Sequence, residues 1–163
     1  MTTSSIEQRL RRLEDELALR TLMNKYHWYP DHYQWDNYRE LWTKDMEFEV
    51  VSANRKYVGI NEAMVRLRAG LEDRYEDCQH AIVNKRFEFI DDNHANGFGN
   101  LIFVGVPKKS EPNSNYMSGG RYRWEFVRTS NGWRISKSSI EFIWESNDVA
   151  ASNFFKTPEI PST

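Results

Sequence analysis

From Ser5 onward, Ile6, Leu10, Leu13 and Leu17 recur at intervals of four, three and four residues with Arg and Glu between them. That is the apolar stripe of an amphipathic helix. Ser5 followed three residues later by Gln8 makes a capping-box start. Pro30 predicts a stop near Trp28 or Tyr29, because the residue before a proline is pushed out of helical dihedrals. Trp35, Tyr38, Leu41 and Trp42 share one face of a second short helix over 35–42. Asp45 opens a strand at Met46 to Val51, an extended piece covers Lys56 to Val58, and Gly59 leads into a third helix over about 61–75. Its inward side is Ala63, Met64, Leu67 and Leu71. The period then changes, and four long strands are expected at roughly 78–90, 97–106, 116–128 and 132–145. Turn chemistry separates them at Asp91-Asp92-Asn93, at Pro107 to Asn115 and at Asn131-Gly132, which predicts an antiparallel meander. The polar Lys108 to Asn115 loop is expected to be the most mobile, and 147–163, with Pro158 and Pro161, a C-terminal tail.

Helices first and a long sheet second predict an α+β fold, a curved antiparallel sheet wrapped around N-terminal helices. A twisted sheet closed on a helix leaves a cone-shaped pocket open at one end. The 163 residues suit a single domain spanning 1–163 with its core at about 6–146. With 14% aromatic residues the chain has more rings than a small core needs, so some are expected to line the cone. A formal charge of −2 offers no basic surface for nucleic acid. No run of about 18 apolar residues suggests a membrane span, and Met1 to Ser5 lead straight into a charged segment. The single cysteine, Cys78, leaves no intramolecular disulfide and fits a reducing, cytoplasmic setting.

Four histidines are candidates for chemistry. His94, beside Asp92 and Asn93, reads as a solvated turn residue. His27 and His32 flank the end of the first helix, where they either satisfy carbonyls or reach the pocket. His80 lies inside a strand whose alternation places Cys78, His80, Ile82 and Asn84 on one face. If that face points into the cone, a neutral imidazole there is a general base. A core histidine satisfied by a carbonyl or a Tyr hydroxyl is the simpler reading of the pattern alone. Asp31, Asp36 and Glu141 are the candidate orienting acids. Asp36 reads better as a first-turn helix residue and Glu141 as an outward strand residue. No H-x-x-x-H or H-E-x-x-H spacing, P-loop or G-x-S-x-G occurs, so neither metal nor cofactor is expected. Same-face Tyr122 and Trp124 could flank an apolar ligand, and the glycine pairs read as bulges rather than a phosphate cradle.

The segment Lys25-Tyr26-His27-Trp28-Tyr29-Pro30-Asp31-His32-Tyr33-Gln34-Trp35-Asp36, with Leu41-Trp42 and Asp45 after it, resembles the first-helix signature of the SnoaL-like family. That family belongs to the nuclear transport factor two-like (cystatin-like) superfamily. Gln79-His80-Ala81-Ile82-Val83-Asn84 is similar to its third-strand histidine motif, and Asn131-Gly132-Trp133-Arg134-Ile135 to its last hairpin. The resemblance covers roughly residues 6–146 and is nearest to the group of scytalone dehydratase, bile-acid dehydratase and hexachlorocyclohexane dehydrochlorinase. It implies a catalytic dyad of Asp31 and His80, with Tyr26 in the position of the tyrosine of the bile-acid enzyme. It implies a pocket wall that includes Tyr57, Asn84, Leu101, Phe103, Tyr122, Trp124, Ser138 and Phe142. Where those enzymes carry an arginine on the final strand this chain has Ser138 or Phe142, so the resemblance implies neither dehydrochlorination nor a charged-tail substrate. The second histidine of scytalone dehydratase has no counterpart on the 97–106 strand.

The expectation is a cofactor-independent lyase or isomerase acting by His/Asp acid–base catalysis on a small apolar cyclic substrate. The reaction would be dehydration, a double-bond shift or cyclisation of a polyketide- or terpenoid-like metabolite. The alternative is a non-catalytic ligand-binding or association module of the same fold. By resemblance, a homo-oligomer, dimer or trimer, is also expected.

Overall fold

The computed structural model describes residues 5–108 and 115–146. The expected tail at 147–163 and most of the loop expected to be mobile lie outside the described residues. Helix α1 (Ile6–Asp31) starts at Ser5, whose Oγ accepts the Gln8 N–H at 3.2 Å while Gln8 Oε1 accepts the Ser5 N–H at 2.9 Å. The helix runs through Pro30 instead of stopping at Trp28 or Tyr29. Because Pro30 sits in the last turn, the one intrahelical donor it removes is that aimed at the Tyr26 carbonyl, and the chain turns away directly afterwards.

The sheet covers a different face of α1 from the one the leucine stripe marks. Ile6, Leu10, Leu13 and Leu17 are all exposed, while Asp15, Leu19, Leu22, Met23, Tyr26 and Pro30 are buried. Asp15 is two residues, about 200°, from both Leu13 and Leu17, so the two stripes lie on opposite sides of the helix. The buried stripe begins with a charged residue, which hides it from an apolar-periodicity reading.

Helix α2 (Trp35–Arg39) is shorter than expected, because Trp42 already belongs to strand β1 (Trp42–Val50) and Ile135 donates its N–H to the Leu41 carbonyl at 2.9 Å. A single 3-10 turn at Val51–Ala53 leads to β2 (Arg55–Val58) and then to α3 (Ile60–Glu72), which ends ahead of Tyr75. The long strands are β3 (Tyr75–Phe89), β4 (His94–Pro107), β5 (Tyr116–Thr129) and β6 (Gly132–Glu145). They form the expected antiparallel meander, in the order β2-β1-β6-β5-β4-β3. The mixed character is new, since β1 lies parallel to β6. The sheet curves without closing, and β2 and β3 are its edges.

Cross-strand register builds the inner wall. His80 faces Phe103 and Ser118 across β3, β4 and β5, and Ile82 faces Leu101 and Gly120, with Phe142 next on β6. On the outer face the indole of Trp144 lies over Gly119, its ring nitrogen nearest to where a Cβ would stand. A bulge in β3 between Val83 and Arg86 holds Asn84 at a φ of +55°. Before it the even residues Cys78, His80 and Ile82 point inward, and after it Phe87 and Phe89 do. Asn84 is therefore exposed.

Candidate active site

Asp31 is the last residue of α1. Unpaired carbonyls at a helix C-terminus disfavour a carboxylate, and β3 compensates with three donors. The backbone N–H of His80 donates to Asp31 Oδ2 at 2.8 Å, its ring Nδ1 meets Oδ1, and Cys78 Sγ lies 3.7 Å from Oδ1. The Asp31 and His80 side chains are 12% and 13% exposed. Two contacts from one carboxylate to one histidine fix both ring rotation and tautomer, leaving Nε2 as the nitrogen available to the cavity that His80 lines.

Burial, with Asp31 beside it, pushes the Cys78 thiol up to about 12, so it acts as an S–H donor rather than a thiolate. Ligand atoms of Asp31, Cys78 and His80 come within 4.8 Å of one another. With the thiol protonated and Nδ1 committed to Asp31, this donor set holds protons better than it would hold a cation.

The cavity has a volume of about 270 Å³ and sits between α1, α3 and the concave face of the sheet. Its inner end is a cluster of phenols. The Tyr26 ring lies 5.5 Å from Tyr38 and 5.9 Å from Tyr122, and its hydroxyl shares a 3.2 Å hydrogen bond with Ser138 Oγ. Burial raises all three phenols above their ordinary value, so each keeps its proton and can donate but not abstract.

Of the residues singled out in the sequence, Tyr26, Tyr57, His80, Leu101, Phe103, Tyr122 and Phe142 lie on the cavity wall. Asp31 stands behind His80. Ser138 stands behind Tyr26, and Trp124 stacks on Tyr122 with ring centroids 4.9 Å apart. Asn84 does not belong there, because the bulge turns it to solvent. His27 and His32 do not line the cavity either. His32 is exposed, stacked on Trp28, with Nδ1 2.7 Å from the Trp28 carbonyl. His27 lies near the Asp31–His80 pair, and burial, helped by Lys85 and His80, pulls it down to about 4, so it stays neutral. His94 pairs with Asp91 in its turn, and Asp36 and Glu141 are exposed as expected. Sequence reasoning missed Tyr38, visible only as part of a helix stripe, and three arginines, Arg55, Arg66 and Arg74, which carried no pattern at all.

A family model for the SnoaL-like domain matches residues 11–139. The chain belongs to the SnoaL-like domain family. Solved structures agree with the SnoaL-like fold. A scytalone-dehydratase-like protein of Novosphingobium aromaticivorans superposes with a TM-score of 0.75 at 17% identity, covering 83% of this chain and 89% of that one. Hexachlorocyclohexane dehydrochlorinase LinA-type3 of Novosphingobium barchaimii gives 0.75 at 24%, covering 85% and 92%. An NTF2-like protein with a cystatin-like fold from Novosphingobium aromaticivorans gives 0.72 at 20%, covering 95% and 99%. At such identities the likeness is one of fold, and it bears out the α+β cystatin-like architecture expected for a SnoaL-like chain. No curated protein matches the sequence. No helix among the described residues is long and apolar enough to cross a membrane.

Proposed function

We propose that this SnoaL-like protein is a cofactor-independent lyase or isomerase that works by proton transfer in the cone. The observation that carries the reading is the Asp31–His80 pair, both carboxylate oxygens bound to one histidine in the wall of a largely apolar cavity. Family membership and the dehydratase and dehydrochlorinase names among proteins of similar fold support it.

In the proposed dehydration, His80 Nε2 takes a proton from carbon next to a carbonyl, and the C–H electrons become the enolate π-bond. Asp31 accepts Nδ1–H throughout and stabilises the imidazolium. A protonated phenol, Tyr26 or a neighbour in the cluster, donates to the developing oxyanion. The enolate then expels the β-hydroxyl, which leaves as water with the proton His80 had taken, so no net proton is consumed. Returning the proton to another carbon gives the isomerase outcome. General acid–base help of this kind is worth about 10²–10⁴-fold, sufficient where the substrate C–H is already activated. We further propose a homo-oligomer built on the outer sheet face, where Val83, Ile102, Met117 and Trp144 stay exposed.

The test is mass spectrometry of extracts from the producing cell incubated with wild type, His80→Ala and Asp31→Asn. A product lighter than its substrate by one water, absent with both variants, supports the dehydratase. An equal-mass product supports the isomerase or cyclase. A ligand retained unchanged by all three proteins would refute catalysis and favour a binding module.

A further inference from the structure

Arg55 opens β2, Arg66 lies on α3 and Arg74 stands between α3 and β3, and all three line the cavity. Among the described residues Asp73 is the one acid on the cavity wall, where Arg55 and Arg66 bring two half-buried guanidiniums to an otherwise apolar hollow. Asp73 acts on Arg68, which is itself paired with Glu72 at 2.6 Å. Among the described residues neither Arg55 nor Arg66 makes an ion pair, and both are half-buried. Arg74 is half-buried as well. Burial holds its guanidinium below the ordinary value and the charge of Arg55 pushes the same way, so the two cations repel across the mouth.

A guanidinium cannot shed its proton to relieve this repulsion. A neutral apolar ligand entering the cavity would strip water from these charges and return nothing, a cost that opposes the gain from its own burial. An anion at the mouth reverses the sign of both effects, and forked guanidiniums match its paired oxygens.

We propose that the cavity takes an amphipathic organic acid, its apolar body against Phe48, Leu101 and Phe103 and its carboxylate-type head held by Arg55 and Arg66, with the charge of Arg74 beside Arg55 adding to the attraction. The inference rests on the reading of this cavity as the substrate site and names the substrate class. It also departs from the expectation, drawn from the final strand, that no charged tail is implied. That expectation looked for an arginine on the final strand, whereas the cavity's arginines come from β2, from α3 and from the segment after it.

The experiment is a fluorescence titration of the full chain with two probes of one ring system, anionic 1-anilinonaphthalene-8-sulfonate and neutral N-phenyl-1-naphthylamine. Wild type should bind the anion about tenfold more tightly at low salt, with the preference fading as salt rises. Arg55→Gln, Arg66→Gln and Arg74→Gln should each weaken the anion several-fold and leave the neutral probe within about twofold, and the Lys variants should recover part of the loss. Ala69→Trp, which fills the mouth from α3, should block both probes. Equal affinity for the two probes, equal loss of both in the Gln variants, or anion binding that survives Ala69→Trp would overturn the proposal. The two readings fail separately, since equal affinity of wild type for the two probes would overturn this proposal and leave the comparison of turnover in wild type and His80→Ala untouched.

Discussion

Replacing Asp15 tests how α1, and with it Asp31 and Tyr26, is held on the sheet. Its carboxylate is 9% exposed and accepts from Arg128 Nη2 at 2.6 Å and from Trp133 Nε1 at 3.1 Å, tying the helix to the β5–β6 hairpin. Asp15→Ala removes one charge-assisted hydrogen bond, about 1.5–3 kcal/mol, and strands the buried indole N–H, about 1–3 kcal/mol more. Arg128 keeps its bond to the Asp92 carbonyl at 2.8 Å and its place over the Trp133 ring, so its charge is not wholly abandoned. The expected loss is therefore about 3–5 kcal/mol, the scale found when a buried ion pair is broken from one side. For a chain of this length that is a fall in Tm of about 6–20 °C. Asp15→Asn, which can still accept from Trp133, should lose only the charged part, about 1.5–3 kcal/mol. The pH dependence gives a second readout. Burial pushes the Asp15 carboxyl up, but the hydrogen bonds from Arg128 and Trp133 and the charges of Arg128 and Arg11 outweigh it, so the folded value lies below 3.8. Its stabilisation is present above the unfolded value and lost as pH falls through the folded one. The stability gap between wild type and Asp15→Asn, measured by urea denaturation, should stay flat above about pH 5 and narrow below about pH 4. A loss below about 1 kcal/mol for Asp15→Ala, or a gap unchanged into acid, would refute the buried-anchor reasoning.

Other outcomes follow from the site and the sheet. Asp31→Asn should shift His80 from the Nδ1–H tautomer, read by ¹⁵N NMR of the ring, and cut turnover by about 10²–10⁴-fold while the fold stays intact. Tyr26→Phe should lower turnover about tenfold or more and cost about 1–3 kcal/mol by stranding the buried Ser138 hydroxyl, and an unchanged rate would move the donor role to Tyr38 or Tyr122. With its thiol pushed up to about 12, Cys78 should react with a disulfide reagent at about pH 8 roughly 10³-fold more slowly than an ordinary cysteine, the rate rising to normal in urea. Gly119→Ala should force Trp144 off the sheet, changing near-UV circular dichroism and costing about 1–3 kcal/mol. His27, neutral in the fold down to about 4, takes up a proton on unfolding below about 6.5, so stability should fall with pH across that window in wild type and fall less in His27→Leu.

The long strands and the two partners of the Asp31–His80 contact were legible because their signals are local or motif-borne. Turn residues bound the four strands of the meander, and Pro30-Asp31 and His80 sit in recognisable segments. Alternation alone could not bring Asp31 to His80, since 49 positions separate them and the contact is made by packing α1 across β3. The buried face of α1 carries no apolar-periodicity signal at its start because its first core residue is an aspartate, and the leucines that advertise a stripe point to solvent. The parallel pairing of β1 with β6 had no sequence signal, because it depends on a crossover rather than a turn. The rim arginines were illegible for the same reason. None belongs to a motif, and their common place on the cavity wall exists only in three dimensions.

The bulge at Asn84 gives β3 two phases on one strand. Residues ahead of it present even positions to the cone, and those behind it present odd positions to the helix side of the core. Deleting this one exposed residue would remove no buried contact of its own, yet it would set the two halves in a single frame. Either His80 and Ile82 or Phe87 and Phe89 would then be turned to solvent, because one residue is half a pleat. An insertion there would do the same. Length at this position is thus constrained more tightly than identity, so substitutions at Asn84 should be far better tolerated than any change in the number of residues between Val83 and Arg86.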